Sequence, residues 1–304
     1  MTDALVIMLG WNAPGALQTA LLASLSLGVV SGLLGTFVVL RRESLFGDAL
    51  SHAVFPGIVA GFLLSGWLEQ SGYAGGARNP LLILACAMAA GMAGAFVVHL
   101  LEQTTRLKQD ASLGIVLSVF FALGIGLYTI RQPAGVQGFF YGQTAAIDGR
   151  DLLLMLATTL VVALVVVVFR RPLLVASFDR GYAHNLGYPV PLLSLLFSGL
   201  LTMAVVVAMQ AVGVILVSAM LITPAATAHL MTDRFPRMMA LAVSFAVAAG
   251  VRGSLISSQV NGLATGPVIA LCATGLFVAA YLAAPRYGVV ARLLQAAQQR
   301  RRIG

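Results

Sequence analysis

Long apolar runs alternate with short charged punctuation along this chain. No Asp, Glu, Lys or Arg occurs in 4–40, 49–68, 79–101, 111–130, 152–169, 190–232 or 253–285. Roughly 20 apolar residues cross a hydrocarbon layer about 30 Å thick as one helix, and in lipid only helices and closed barrels satisfy every backbone polar group. The interval 190–232 is about twice that length and passes Gln210 and Gly213 near its middle, so it is expected to hold two helices joined by a tight turn. The short run 238–251 extends past Arg252, whose long stem reaches towards the interface. About nine transmembrane passes are therefore expected, over 16–40, 46–67, 80–101, 111–130, 152–169, 190–209, 212–231, 237–256 and 264–284. The fold class is all-α, a polytopic integral membrane helix bundle, with 1–304 forming a single transmembrane domain.

Composition supports that pattern. Of the 304 residues, 60% are hydrophobic and 9% charged, against about 25% charged in soluble domains. A soluble enzyme and a disordered chain are both excluded, and membrane lipid is the expected surroundings. The net charge of +8 does not point to nucleic acid, because the basic residues punctuate apolar runs instead of clustering on a soluble face. Their distribution sets orientation instead. Fourteen of the 18 Lys and Arg, among them Arg41, Arg42, Arg106, Lys108, Arg170, Arg171, Arg180, Arg234 and Arg300 to Arg302, fall at one set of ends, while Arg78, Arg131, Arg150 and Arg252 fall at the other. By the positive-inside rule the first set is cytoplasmic, which places the N-terminus outside and the C-terminus inside. With Asp3 and no Lys or Arg before Arg41, the first apolar run lacks the basic region of a cleavable signal and is expected to be retained. Cys86 and Cys272 lie inside apolar stretches, far from any CxxC spacing, and are expected to be packing thiols. Glycines within the passes, such as Gly28, Gly32 and Gly35, suit close helix approach. A tightly packed bundle with short loops suits a permease better than a receptor.

The anomaly is Asp48, followed by His52. With Arg42 at the cytoplasmic surface, Asp48 lies about 9 Å and His52 about 15 Å deeper, near half of the hydrocarbon core. An ionised Asp at such depth costs on the order of 3 kcal/mol, so it needs a partner or an aqueous cavity. Four residues apart, the two side chains share a helix face. A carboxylate oxygen and an imidazole nitrogen form half a site for Mn²⁺, Fe²⁺ or Zn²⁺. Pro56-Gly57 is expected to weaken the helix one turn later. A structural role fits the same spacing: Asp48 serving the positive helix end and His52 bonding to it. His99 and His229 read more simply as satisfied or helix-end histidines.

The sole lysine is Lys108, so no Gly-Lys-Ser/Thr phosphate loop exists and the chain is not expected to be an enzyme. If transport is driven by ATP, a separate subunit must hydrolyse it. The cytoplasmic segment 170–189 offers that subunit a surface over 176–189. There Asp179, Ala183 and Gly187 recur every four residues, giving a short helix with one small face that can dock closely, or an ordinary loop helix ended by Gly187 and Pro189.

The stretch Leu40-Arg-Arg-Glu-Ser-Leu-Phe-Gly-Asp-Ala-Leu-Ser-His-Ala-Val-Phe-Pro-Gly57 closely resembles the signature of permease subunits of zinc, manganese and iron ABC importers, the ABC-3 family. Asp110 to Ser118 resembles that family's approach to the fourth pass, Asp179 to Gly187 its coupling helix, Val212 to Ala228 its most distinctive late segment, and Thr265-Gly266-Pro267 its last pass. Asn261 to Ala264 and Gln137 to Gln143 follow the family pattern more loosely. The resemblance implies a multi-pass subunit of the bacterial plasma (inner) membrane that pairs with a second permease copy or paralogue. It further implies two cytoplasmic ABC ATPase subunits and an extracytoplasmic metal-binding protein as partners. It places Asp48 and His52 on the metal pathway and ATPase coupling at Asp179, Ala183 and Gly187. The divalent ion is substrate, and no permanently bound cofactor is expected. A proton-coupled secondary metal transporter, in which Asp48 and His52 relay protons, and a scaffold in which the pair is structural are the competing readings.

Overall fold

The computed structural model describes residues 15–71, 79–133, 136, 149–214, 217–260, 264–284 and 288. Among the described residues the chain forms ten helices and no strand: α1 (Gly15–Arg41), α2 (Ser44–Gln70), α3 (Pro80–Thr104), α4 (Gln109–Arg131), α5 (Gly149–Phe178), α6 (Arg180–Asn185), α7 (Val190–Val212), α8 (Val217–Met231), α9 (Phe235–Gln259) and α10 (Thr265–Ala283). Local chemistry sets several of the boundaries. Asn79 caps α3 by accepting from the Leu81 and Leu82 amides at 3.2 and 3.4 Å, with Pro80 at the first helical position. Gly213 ends α7 with φ +86°, a conformation open to glycine.

Seven of these helices, α1 to α5, α9 and α10, are long and apolar enough to cross a membrane. The expected count of nine meets two shorter apolar stretches, Val190–Val206 within α7 and Val217–Met231 as α8. At 15 residues, α8 rises only about 22 Å, less than a full hydrocarbon layer. A second difference lies in 170–178, expected as loop and found as helix. Arg170 and Arg171 mark a change of solvent rather than a helix end, because Leu173 and Ala176 remain buried and carry α5 on to Phe178. Pro56 likewise leaves α2 unbroken from Ser44 to Gln70. Gln137 to Gln143, Asn261 to Leu263 and the Arg300 to Arg302 cluster lie outside the described residues.

Helix α1 is the hub. It packs against α9, α5, α8 and α7, while α2 packs chiefly against α3 and α4. Water exclusion does not press helices together in lipid, so contact depends on how closely backbones approach. A methyl on Gly32 would lie 2.5 Å from the Val243 Cα, and one on Gly28 2.7 Å from the Val247 Cα. Along the same seam the Ser24 and Ser254 hydroxyls are hydrogen-bonded at 2.5 Å.

Gly32→Ala is expected to cost about 1–3 kcal/mol, the usual penalty of overpacking, seen as a lower unfolding midpoint of the detergent-solubilised protein. Gly275→Ala, which meets nothing within 4 Å, should leave the midpoint in place. Equal midpoints would contradict the α1–α9 seam.

Candidate functional site

The second helix carries both anomalous residues on one side. His52 Nε2 stands 3.8 Å from Asp48 Oδ1, and the two side chains are 16% and 31% exposed. That separation is too long for a hydrogen bond. It is within the span that two ligands of one ion reach at about 2.0–2.2 Å each. The rest of the helix holds the pair in place: Ala49, Leu50 and Ala53 are buried in the bundle, and the Ser51 hydroxyl donates to the Asp48 carbonyl at 2.7 Å. From α4, Phe121 meets the His52 ring edge to face at 4.7 Å between centroids.

Two features mark the surroundings of His52. Its Nδ1 is buried and makes no hydrogen bond. Pro56 has no N–H to give the carbonyl four residues earlier, which is that of His52 itself. Imidazole and carboxylate therefore share one turn of α2, beside a carbonyl that lacks its usual helical donor. Among the described residues no group of three or more His, Cys, Asp and Glu side chains comes together. The pair is a two-ligand fragment within one chain, suited to passing an ion on rather than caging it.

The segment expected to meet an ATPase subunit has defined ends. Asp179 caps α6, its Oδ1 accepting from the Tyr182 amide at 2.9 Å. Gly187 turns the chain out of the helix at φ +81°. Of the three small-face residues only Ala183 is buried against the chain's own helices; Asp179 and Gly187 are exposed, as are Tyr182, His184 and Leu186. His99 is exposed and paired with Gln103 at 2.8 Å, and His229 is exposed in the last turn of α8. Cys86 and Cys272 are free thiols, half-buried.

Three charged residues that spacing did not single out meet near the start of α2. Arg180 Nη2 donates to Glu43 Oε1 at 2.9 Å. Arg41 Nε donates to the Ser177 hydroxyl at 2.9 Å, with its guanidinium 3.8 Å from the centroid of the Phe197 ring. In sequence these residues read as flanks of separate passes, and only the fold brings together positions 137 apart.

The ABC 3 transport family model, ABC-3, matches residues 15–284. The chain is similar to the manganese transport system membrane protein MntC of Bacillus subtilis (strain 168), 38% identical over 291 residues, covering 94% of this chain and 65% of that protein. It thus spans a little under two thirds of that relative's length. It is also similar to the zinc transport system membrane protein TroC of Treponema pallidum (strain Nichols), 41% identical over 283 residues, covering 91% of this chain and 92% of the relative. Among solved structures, PsaBC from Streptococcus pneumoniae in complex with Fab superposes with a TM-score of 0.81 at 32% identity, covering 94% of this chain and 98% of the matched chain.

Asp179→Ala should remove about 1 kcal/mol of local stability from α6, read as several-fold faster hydrogen exchange at the Tyr182 amide, and Asp179→Asn should retain protection. Unchanged exchange in the alanine variant would refute the cap.

Proposed function

Since the chain belongs to the ABC-3 transport family, we propose that it is the membrane-spanning permease subunit of an ATP-binding-cassette importer for a divalent transition metal, manganese, zinc or iron. The observation that carries the reading is the Asp48–His52 pair, a carboxylate and an imidazole 3.8 Å apart inside an apolar helix. The ion is cargo, and no resident cofactor takes part. Nine passes make up the single permease domain, with α7 and α8 crossing as the sixth and seventh where the bundle supplies the polar partners that lipid lacks. The N-terminus is extracytoplasmic and the C-terminus cytoplasmic, in a bacterial plasma membrane.

The partners follow from what the chain lacks. With Lys108 its sole lysine, it has no phosphate loop, so ATP is hydrolysed by separate cytoplasmic subunits. Those subunits meet α6, where Asp179 and Gly187 fix the two ends of the helix and Ala183 seats it. Tyr182 and Leu186, 57% and 51% exposed, supply the apolar contact surface. An extracytoplasmic binding protein delivers the metal. A second permease, identical or paralogous, completes the pathway and the coordination that two ligands leave open.

Transfer demands loose binding. An ion held by one carboxylate, one imidazole and water enters a site deep enough to exclude monovalent competitors by charge, yet leaves when the bundle reorients. In vesicles containing the permease, its ATPase and its binding protein, Asp48→Ala and His52→Ala should each lower metal import by at least about tenfold, the equivalent of about 1.4 kcal/mol. Import should follow ATP and ignore an imposed pH gradient. Parental import by both variants would remove the pair from the pathway, and uptake driven by the gradient alone would replace the importer with a proton-coupled carrier.

A further inference from the structure

Beside the inner end of α2 lies a cavity of about 270 Å³, whose lining includes Arg41, Glu43, His99, Glu102, Gln109 and Arg180. Two carboxylates share it. Glu43 is 8% exposed and is held by Arg180, which is 58% exposed and stands first in α6. Glu102, in the last turn of α3, turns a buried Oε1 that accepts no hydrogen bond. It lies within electrostatic reach of both Arg180 and Glu43. The half-exposed Arg180 guanidinium therefore has one carboxylate in hand and a second, with one oxygen unsatisfied, on the same cavity.

Breaking a buried ion pair outright is expensive, because the charge left behind has no partner. Exchange avoids that cost. If Arg180 moves to Glu102, Glu43 still lies within reach of Arg41, which Ser177 and Phe197 hold in place. Two arginines and two glutamates remain balanced in either arrangement. Glu43 immediately precedes α2 and stands five positions before Asp48, so whatever pulls on Glu43 pulls on the helix that presents the Asp48–His52 pair.

We propose that Arg180 is a positioning residue that exchanges between Glu43 and Glu102 as α6 moves. The ion pair is then the strut through which displacement of the coupling helix reaches Asp48 and His52. This rests on the importer reading above and adds to it the residues that carry the stroke. Glu43 is the resting partner and Glu102 the partner of the displaced state. The long arginine stem spans the change, and its high exposure leaves it free to turn. Charge-assisted bonds of this kind are strong enough to transmit force yet exchangeable within one cavity.

The test uses the complete complex in vesicles and reads metal imported per ATP hydrolysed. Arg180→Gln should lower that ratio by about tenfold, and Arg180→Lys, which keeps the charge, should recover part of it. The double variant Arg180→Gln/Glu102→Gln should fall no further than either single variant, because both changes remove the same contact. Separately, Glu102→Gln should lower metal imported per ATP hydrolysed by about tenfold, as expected for a lost charged hydrogen bond, and Glu102→Asp should recover most of it. Losses that multiply in the double variant, or a Glu102→Gln complex with the parental ratio, would overturn the exchange. A parental complex that imports no metal would overturn the importer reading instead.

Discussion

Hydrocarbon tolerates neither an unpaired charge nor an unpaired backbone group, and every informative feature of this chain is a response to that constraint. Most charged residues stand at helix ends or in the connections. Arg41 is a partial exception: it sits on the ring of Phe197 and bonds to Ser177. Glu43 is buried beneath Arg180. Asp48 is left with an imidazole 3.8 Å away, too far for a hydrogen bond. That geometry is what sets Asp48 apart from the other charges and motivates the pathway proposed for it.

The packing that surrounds this pair follows the same logic. Because lipid tails compete with apolar side chains on equal terms, the bundle holds together through close backbone approach at Gly28 and Gly32 and through the Ser24–Ser254 bond, all on the α1–α9 seam. That seam anchors one side of the molecule. The α2–α3–α4 group builds the other, with Gly124 of α4 letting Phe55 of α2 seat closely. Phe121, one turn earlier on α4, then reaches the His52 ring. The seam and the helix that carries Asp48 and His52 meet through α7 and α8, which contact both α1 and α2.

Much of this was legible in the sequence, and the parts that were not share a cause. Charge-free runs mark helices because charge and hydrocarbon exclude each other, and each expected pass meets a described helix. The Asp48–His52 face follows from the four-residue spacing alone. The end of α5 did not follow, because Arg170 and Arg171 signal where lipid stops but not where the helix stops. The orientation of Ala183 did not follow either: a small residue suits docking against a partner and docking against the chain's own bundle equally well. The Glu43–Arg180 contact was hidden for a different reason. It joins two positions that sequence reads as boundary markers of unrelated passes, and only the return of α5 to the foot of α2 makes them neighbours.

The decisive quantity is the access of water to the second helix at depth. With Cys86→Ser and Cys272→Ser as background, thiols placed at Asp48 and His52 in the reconstituted complex can be titrated with a small, charged, membrane-impermeant methanethiosulfonate, alongside one placed at the fully buried Ala53. If the pair lines an ion route, the thiols at 48 and 52 react readily while that at 53 stays inert. Should 48 and 52 prove as unreactive as 53, the face is dry and no dication travels along it.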